Sequence, residues 1–233
     1  MAIQARTLFT ADTESRLLLV NEPGLATPAP HFFLGRTPVG NVTRFRADLP
    51  ERLVRELAAL CADDPPLLTA SGELPRHAER YVQRLGDYVP VGRVWAGPAY
   101  AFSGNTLFPE NTLLSGPLVA VSERNREVLE GGFEKLLEEL PLWQPFVALI
   151  QEGRAVSVCR SVRITAEAHE AGVETLPGYR GRGYARSVAE GWAQQVRSLG
   201  ALPLYSTSWD NEASRAVARS LGLRLYGADF HVS

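Results

Sequence analysis

The chain has 233 residues, 45% of them hydrophobic and 21% charged, with a formal net charge of -2; this is an ordinary globular composition, long enough for one large or two small domains. The near-neutral balance argues against a nucleic-acid partner, because such binders carry a strongly basic surface. No apolar run approaches the ~20 residues of a membrane span, and the amino terminus lacks a signal peptide's apolar core, so a soluble cytoplasmic protein with no membrane partner is expected. Cys61 and Cys159 lie far apart without metal spacing, and His31, His77, His169 and His231 form no ligand pair. Buried thiols, a reducing compartment and no metal are the expectations.

Taken in chain order, short strand-like runs at 16–20, 31–35 and 42–46 are separated by Pro and Gly signals. Leu53, Leu57, Leu60 and Cys61 mark a helical stripe, with Pro50 at its start and Pro65-Pro66 beyond its end. A second helix is expected over 75–85, where Arg76, Arg80 and Arg84 read as a solvated face. Between about 91 and 114 a mixture of Gly, Pro and aromatics, including Trp95, Tyr100 and Phe102, reads as a strand, connecting loops and a domain junction. This first portion carries no catalytic motif. A strand over 118–121 opens the second portion. Ser122 then reads as the N-cap of a helix with the stripe Leu129, Phe133, Leu136, Leu137 and Leu140, divided by Gly131-Gly132 and ended by Pro141. Runs at 146–151 and 155–164, split by Glu152-Gly153, read as a hairpin, followed by a strand over 168–176 that Pro177-Gly178 breaks.

The stretch 179–186, Tyr-Arg-Gly-Arg-Gly-Tyr-Ala-Arg, is the most informative. From Tyr184 onward, Tyr184, Val188, Trp192 and Val196, with Ala185 and Ala189 beside them, form the stripe of an amphipathic helix. Gly181 and Gly183 therefore stand at a helix entrance, where the first N–H groups lack intrahelical acceptors and the helix dipole is positive. Having no Cβ, they let a ligand approach the backbone closely. Arg180, Arg182 and Arg186 add charge-assisted donors, so the loop suits a small anion such as a pyrophosphate. Further on, 202–207 reads as a strand, Trp209-Asp-Asn211 as a helix entrance, and Ala213, Ala216, Val217 and Leu221 as a helix stripe closed by Gly222. Gly181-Arg-Gly183 also resembles the start of a dinucleotide-binding Gly-x-Gly-x-x-Gly turn. Position 186 is Arg, however, and too little chain follows Ala185 for the rest of a doubly wound sheet.

In these features the chain resembles the GNAT N-acetyltransferases. The loop of that family runs Arg or Gln, two residues, Gly, one residue, then Gly or Ala, and Arg180, Gly183 and Ala185 fill those places. A later helix of the family opens with Asn and ends in Leu-Gly before an apolar residue, as Asn211 and Leu221-Gly222-Leu223 do here. The resemblance runs from about residue 118 to the C-terminus. It implies an α/β (α+β) fold over 96–233, a mixed and mostly antiparallel central sheet flanked by helices. Residues 1–95 become an N-terminal α/β extension: a wall of the acceptor site, a homodimer contact, or a degenerate copy of the same fold. Acetyl-CoA is the implied co-substrate. Its pyrophosphate would rest on Arg180, Gly181, Arg182, Gly183, Tyr184 and Ala185, and its pantetheine would run beside Val173 and Thr175, where two neighbouring strands splay apart. Asn211 would contact the pantetheine or pyrophosphate, unless it is simply a helix cap.

The implied reaction is attack of a primary amine, here of a small molecule, on the thioester, and an ammonium must first lose a proton. His169, Glu170 and Glu174 lie on the strand before the loop. Alternation puts Glu170 and Glu174 on one face and His169 on the other. Because family enzymes often carry their base on this strand, Glu174 is the first catalytic candidate and Glu170 the second. A salt bridge to a nearby arginine such as Arg163 is the structural alternative for either. Ser206, Thr207 and Ser208 border the acetyl or amine side, while Trp143 and Trp209 read as core. The chain departs from the family at Ala218, seven residues after Asn211, where a tyrosine commonly acts as general acid; Tyr205 and Tyr226 are the substitutes. An acyl-CoA-binding sensor or catalytically inactive protein is the reading outside enzymes.

Overall fold

The computed structural model describes residues 1–67, 72–102 and 118–233. A short helix, α1 (Ala2–Leu8), leads into the hairpin of β1 (Phe9–Ala11) and β2 (Leu17–Val20). A second hairpin, β3 (Phe32–Thr37) and β4 (Gly40–Phe45), is followed by α2 (Glu51–Ala62) and α3 (Ala78–Gly86). Pro50 is the N-cap of α2, a position where a missing N–H removes no helical hydrogen bond. The chain continues through β5 (Val94–Ala101), β6 (Leu118–Ala120), β7 (Phe146–Gln151), β8 (Arg154–Ile164) and β9 (Ala168–Thr175). It closes with α4 (Tyr184–Ser198), β10 (Leu202–Ser206), α5 (Glu212–Ser220) and β11 (Arg224–Val232).

Nine strands form one sheet in the order β4-β3-β11-β5-β10-β9-β8-β7-β6. Every neighbouring pair is antiparallel except β9 with β10, which is parallel. This is the mixed, mostly antiparallel sheet flanked by helices that the sequence implied. The boundary expected at residue 95 falls inside β5, and β3 and β4 join the same sheet through β11. Residues on both sides of that boundary thus share one sheet. The rest of the junction expected over 91–114 lies partly on 103–117, outside the described residues.

Apolar periodicity decides which face each helix buries. Helix α4 sets Val188, Ala189, Trp192, Ala193 and Val196 against Val147, Leu149, Val156 and Cys159, and each fully buried large side chain stabilises the fold by roughly 1.5–3 kcal/mol. The intervening residues of the same strands, Phe146, Ala148 and Val158, pack on the opposite side against Leu129, Phe133, Leu136, Leu140 and Trp143. At the other end of the sheet, Leu53, Leu57, Tyr81 and Leu85 of α2 and α3 cover Phe32, Leu34, Phe230 and Val232. Helix α1 lies on the reverse of that region, with Ala5 beside Phe33 and Phe9.

One expected element takes another form. The stripe over 129–140 is buried as its spacing implied, but the backbone makes two short 3-10 turns, 123–129 and 134–136, in place of a helix. Gly131 has φ 86°, and a Cβ on Gly132 would lie 2.8 Å from the Leu176 side chain. The Glu134 carboxylate accepts from the N–H groups of Gly131 and Gly132 (2.7 and 3.1 Å), which holds the chain out of a helical path. Ser122 does cap the first turn, its Oγ accepting from Arg124 N–H and Asn125 Oδ1 accepting from Ser122 N–H (2.8 Å). Strand β11 has no counterpart among the expected strands. Among the described residues, no helix is long and apolar enough to cross a membrane.

Candidate functional site

The parallel neighbours β9 and β10 are paired only at Leu202 with Ala168, Pro203 with His169 and Leu204 with Glu170. Beyond Glu170 they part. Tyr205 and Ser206 follow β5 instead, opposite Tyr100 and Ala99, and the chain keeps to β5 through Thr207 N–H to Pro98 O (3.3 Å) and Trp209 N–H to Ala96 O (3.1 Å). Gly97 permits this approach, because a Cβ there would lie 1.8 Å from Thr207 O. Among the described residues, the edge of β9 that faces β10 consequently has no strand partner from Ala171 to Thr175.

The gap opens beside the entrance of α4. Gly183 is the N-cap at φ 80°, and Gly181 sits at φ 74°, a left-handed region that side chains with a Cβ adopt only under strain. Ser187 N–H to Gly183 O (3.2 Å) is the first helical hydrogen bond. Among the described residues no side chain caps the helix, and its leading N–H groups have no intrahelical acceptor. A Cβ on either glycine would meet nothing within 4 Å, so the loop faces open space. The three arginines divide. Arg180 Nε donates to Thr175 O (3.2 Å), Arg182 stacks on the Tyr179 ring at 5.3 Å, and Arg186 pairs with Glu190 (2.9 Å).

A cleft of about 1190 Å³ joins these parts. Of the residues singled out from the sequence, Val173, Glu174, Thr175, Arg180, Gly181, Gly183, Tyr184, Ala185 and Asn211 line it, whereas Arg182 and Glu170 do not. Tyr184 accepts from Gln151 Nε2 (2.5 Å). Asn211 Oδ1 accepts from Ser214 N–H (3.0 Å), so it caps α5 while bordering the cleft. Trp95 and Lys135 also line the space, and no motif in the sequence marks either of them. They reach it only through the fold of β5 and of the turns after Gly132.

The two glutamates occupy opposite environments. Glu174 pairs with both Lys135 Nζ and Arg160 Nη2 (2.8 Å each). Burial pulls its pKa upward, but the two cations together outweigh that and hold it below the ordinary value. The Arg160 guanidinium lies 4.6 Å over the Trp143 ring; Arg163, the partner considered from sequence, pairs with Glu22 (3.2 Å). Glu170 is 3% exposed, and neither carboxylate oxygen has a partner at hydrogen-bond distance among the described residues. Burial pushes it up to about 7, against a smaller opposing pull from nearby Ser206. His169 faces away, its Nδ1 on Ser161 Oγ (2.9 Å), which also accepts from Trp192 Nε1 (3.0 Å). That is a core role. Ala218 is 1% exposed and presents no proton donor. Of its substitutes, Tyr205 lines the cleft with its hydroxyl on Ser214 Oγ (2.7 Å) and its phenol pushed up by burial to about 12. Tyr226 is outside the lining, its hydroxyl buried without a partner.

A splayed parallel pair beside an uncapped, glycine-led helix defines the class of fold, and comparison with known proteins agrees. Residues 146–228 match the family model described as GNAT acetyltransferase. A GCN5-related N-acetyltransferase-like protein from Streptococcus suis 89/1591 is 16% identical over 88% of this chain and 85% of its own, with a TM-score of 0.50, a likeness of fold. A protein from Novosphingobium aromaticivorans DSM 12444 assigned to the GNAT family is 19% identical over 61% of this chain, with a TM-score of 0.47; the chain spans 66% of its length. A Salmonella typhimurium protein solved with its cofactor acetyl-CoA is 15% identical over 50% of this chain and 91% of its own, with a TM-score of 0.38. No curated protein sequence matches the chain.

Proposed function

We propose that the protein moves the acetyl group of acetyl-CoA to a primary amine of a small molecule by direct attack on the thioester. The observation that carries this is the parting of β9 and β10 after Glu170, in one cleft with the uncapped entrance of α4. The free N–H groups at that entrance suit a pyrophosphate, with Arg180 and Arg186 within reach from the cleft wall. The unpartnered edge of β9 beside Val173 and Thr175 offers its backbone groups to the pantetheine amides, in the manner of a missing strand. The thioester would then lie near the point of divergence, bordered by Ser206 and Tyr205.

A general base works best with a pKa near the operating pH. Glu170 meets that requirement and Glu174, held by two cations, does not; the order of preference from sequence is therefore reversed. In the step, the acceptor ammonium loses a proton that passes to the Glu170 carboxylate by way of Ser206 or a water. The neutral amine forms a bond to the carbonyl carbon, the C–S bond breaks, and the amide nitrogen releases its second proton. The leaving thiolate takes its proton from water, since a free thiol has a pKa of about 8.5, or from Tyr205, which borders the cleft. Continuous detection of free thiol from acetyl-CoA with a panel of primary amines tests the reading. One observation favours a second reading, a CoA-binding protein without turnover: the buried Ala218 where the family commonly has tyrosine. Tight CoA binding with no thiol release across the panel would select it.

A further inference from the structure

The cleft has walls on both faces of the sheet. Side chains alternate along β9: Val173, opposite Cys159, packs with the cluster of Val188 and Trp192 from α4, while Glu174, opposite Val158, lies on the face that carries Phe133 and Leu136. On the acetyl-transfer reading CoA occupies the α4 side, which leaves the opposite mouth for the acceptor. Gly132, Phe133, Lys135 and Glu174 line the cleft there.

Of the charged side chains that line the cleft, Arg180 and Arg186 stand at the α4 entrance, and Lys135 and Glu174 remain. Lys135 Nζ and Arg160 Nη2 both pair with the one Glu174 carboxylate at 2.8 Å. The two cations are not held alike. Arg160 is buried, its side chain 9% exposed and its guanidinium over the Trp143 ring. The Lys135 side chain is 67% exposed, a compact charge with three donors on a flexible stem. The turn that carries it presses on the end of β9, because Gly132 has no Cβ to meet Leu176. Glu134, beside it in sequence, accepts from the N–H groups of Gly131 and Gly132 and does not line the cleft. Two cations thus share one carboxylate, and one positive charge is left uncompensated. Lys135 can turn to a ligand while Arg160 keeps Glu174 paired, and an ion pair this exposed costs little to give up.

From this, and resting on the acetyl-transfer reading, we infer that Lys135 determines specificity on the acceptor side by receiving a carboxylate, so that the acceptor is a primary amine with a carboxylate elsewhere on the same molecule. One uncompensated positive charge matches a monoanion. An acceptor with additional cationic groups would meet a like charge at this mouth and is selected against. Because the ammonium of lysine is a point charge and not a planar fork, it fixes distance more than angle. The length of the acceptor is therefore part of the selection.

The test is the steady-state rate of thiol release from acetyl-CoA at pH 8. Glycine, β-alanine, 4-aminobutanoate and 6-aminohexanoate are compared with the alkylamines that lack only the carboxylate, and with 1,4-diaminobutane. At least one amino carboxylate is expected to exceed its matched alkylamine by about tenfold or more in kcat/KM, mainly through KM, the scale of one charge-assisted hydrogen bond. Lys135→Gln should bring that ratio close to unity, and Lys135→Arg should keep most of it. CoA affinity measured by calorimetry should be the same in both variants as in the unaltered chain. Equal rates for amino carboxylates and alkylamines, a ratio that survives Lys135→Gln, or a loss of CoA affinity in that variant would each overturn the inference, the last by placing Lys135 on the cofactor. Thiol release with none of the amines would instead overturn the acetyl-transfer reading.

Discussion

Glu170 and Glu174 stand two strand repeats apart on the same face of β9, yet their surroundings separate them by charge. Lys135 and Arg160 pair with the second, whereas the first has no ion pair among the described residues and feels Arg163 and Ser206 only weakly against its burial. Glu170→Gln is expected to lower turnover about 10²-fold at neutral pH, with partial rescue at higher pH as more amine is neutral. Glu174→Gln should keep turnover within a few-fold; since Glu174 is about a third exposed, the lost ion pairs cost less than about 1 kcal/mol. Steady-state rates of the two variants side by side check the assignment. Linkage gives a second measurement. Burial raises the folded pKa of Glu170 to about 7 from an ordinary 4.5, so the folded state holds the proton more tightly than the unfolded chain. Its contribution is fully present below about pH 4.5 and is lost as pH rises through about 7. Asp229, raised from 3.8 to about 7, acts in the same direction. Thermal melts should therefore show Glu170→Gln more stable than the parent by on the order of 2 kcal/mol at pH 8 and equal to it near pH 4.

At the scale of elements, the entrance of α4 follows from local chemistry. Two glycines in left-handed conformations precede a helix whose apolar stripe reads plainly from Tyr184 to Val196. Gly183→Val is expected to remain folded at a backbone cost of about 1–3 kcal/mol and to lose at least tenfold in CoA affinity, as its side chain would enter the open space facing the N–H groups. Calorimetry with CoA on the folded variant decides this; an unchanged affinity would move the pyrophosphate elsewhere. The hairpin at Glu152-Gly153 was equally legible, both residues taking positive φ (51° and 80°) as a tight turn demands. The segment after Ser122 was legible only in part. Its burial follows the stripe, but the 3-10 geometry depends on Leu176 pressing against Gly132, a contact across more than forty residues. Strand β11 was not legible at all. Gly227, Asp229 and His231 interrupt its β-forming residues, and they are accommodated only because α1, Trp95 and Phe33 lie against them.

For the whole molecule, the decisive feature is that β11 lies between β3 and β5. Phe230 and Val232 are covered by α2 and α3, whose residues belong to the first hundred. A chain beginning near Val91 would expose that cluster and leave β11 with a bare edge. It is expected to yield no folded monomer, as circular dichroism and size-exclusion chromatography would show. Recovery of a folded fragment that binds CoA would mean that the C-terminal portion is self-sufficient and that the shared sheet is incidental to its stability.

The sequence by itself determined the local devices: which residues turn, which cap, which stripe a helix buries, and where a glycine loop meets a helix entrance. These rest on backbone sterics and short-range periodicity, which neighbouring residues contain in full. Tertiary structure alone set the two glutamates apart in burial and in neighbouring charge. Both candidates sit on the same strand face and look alike in sequence, whereas a carboxyl group's pKa depends on burial and on charges within a few ångströms. Here those charges come from Lys135 and Arg160 beside Glu174 and from Asp229 and Arg163 near Glu170, brought together only when β8, β9, β11 and the turn at 134–136 pack.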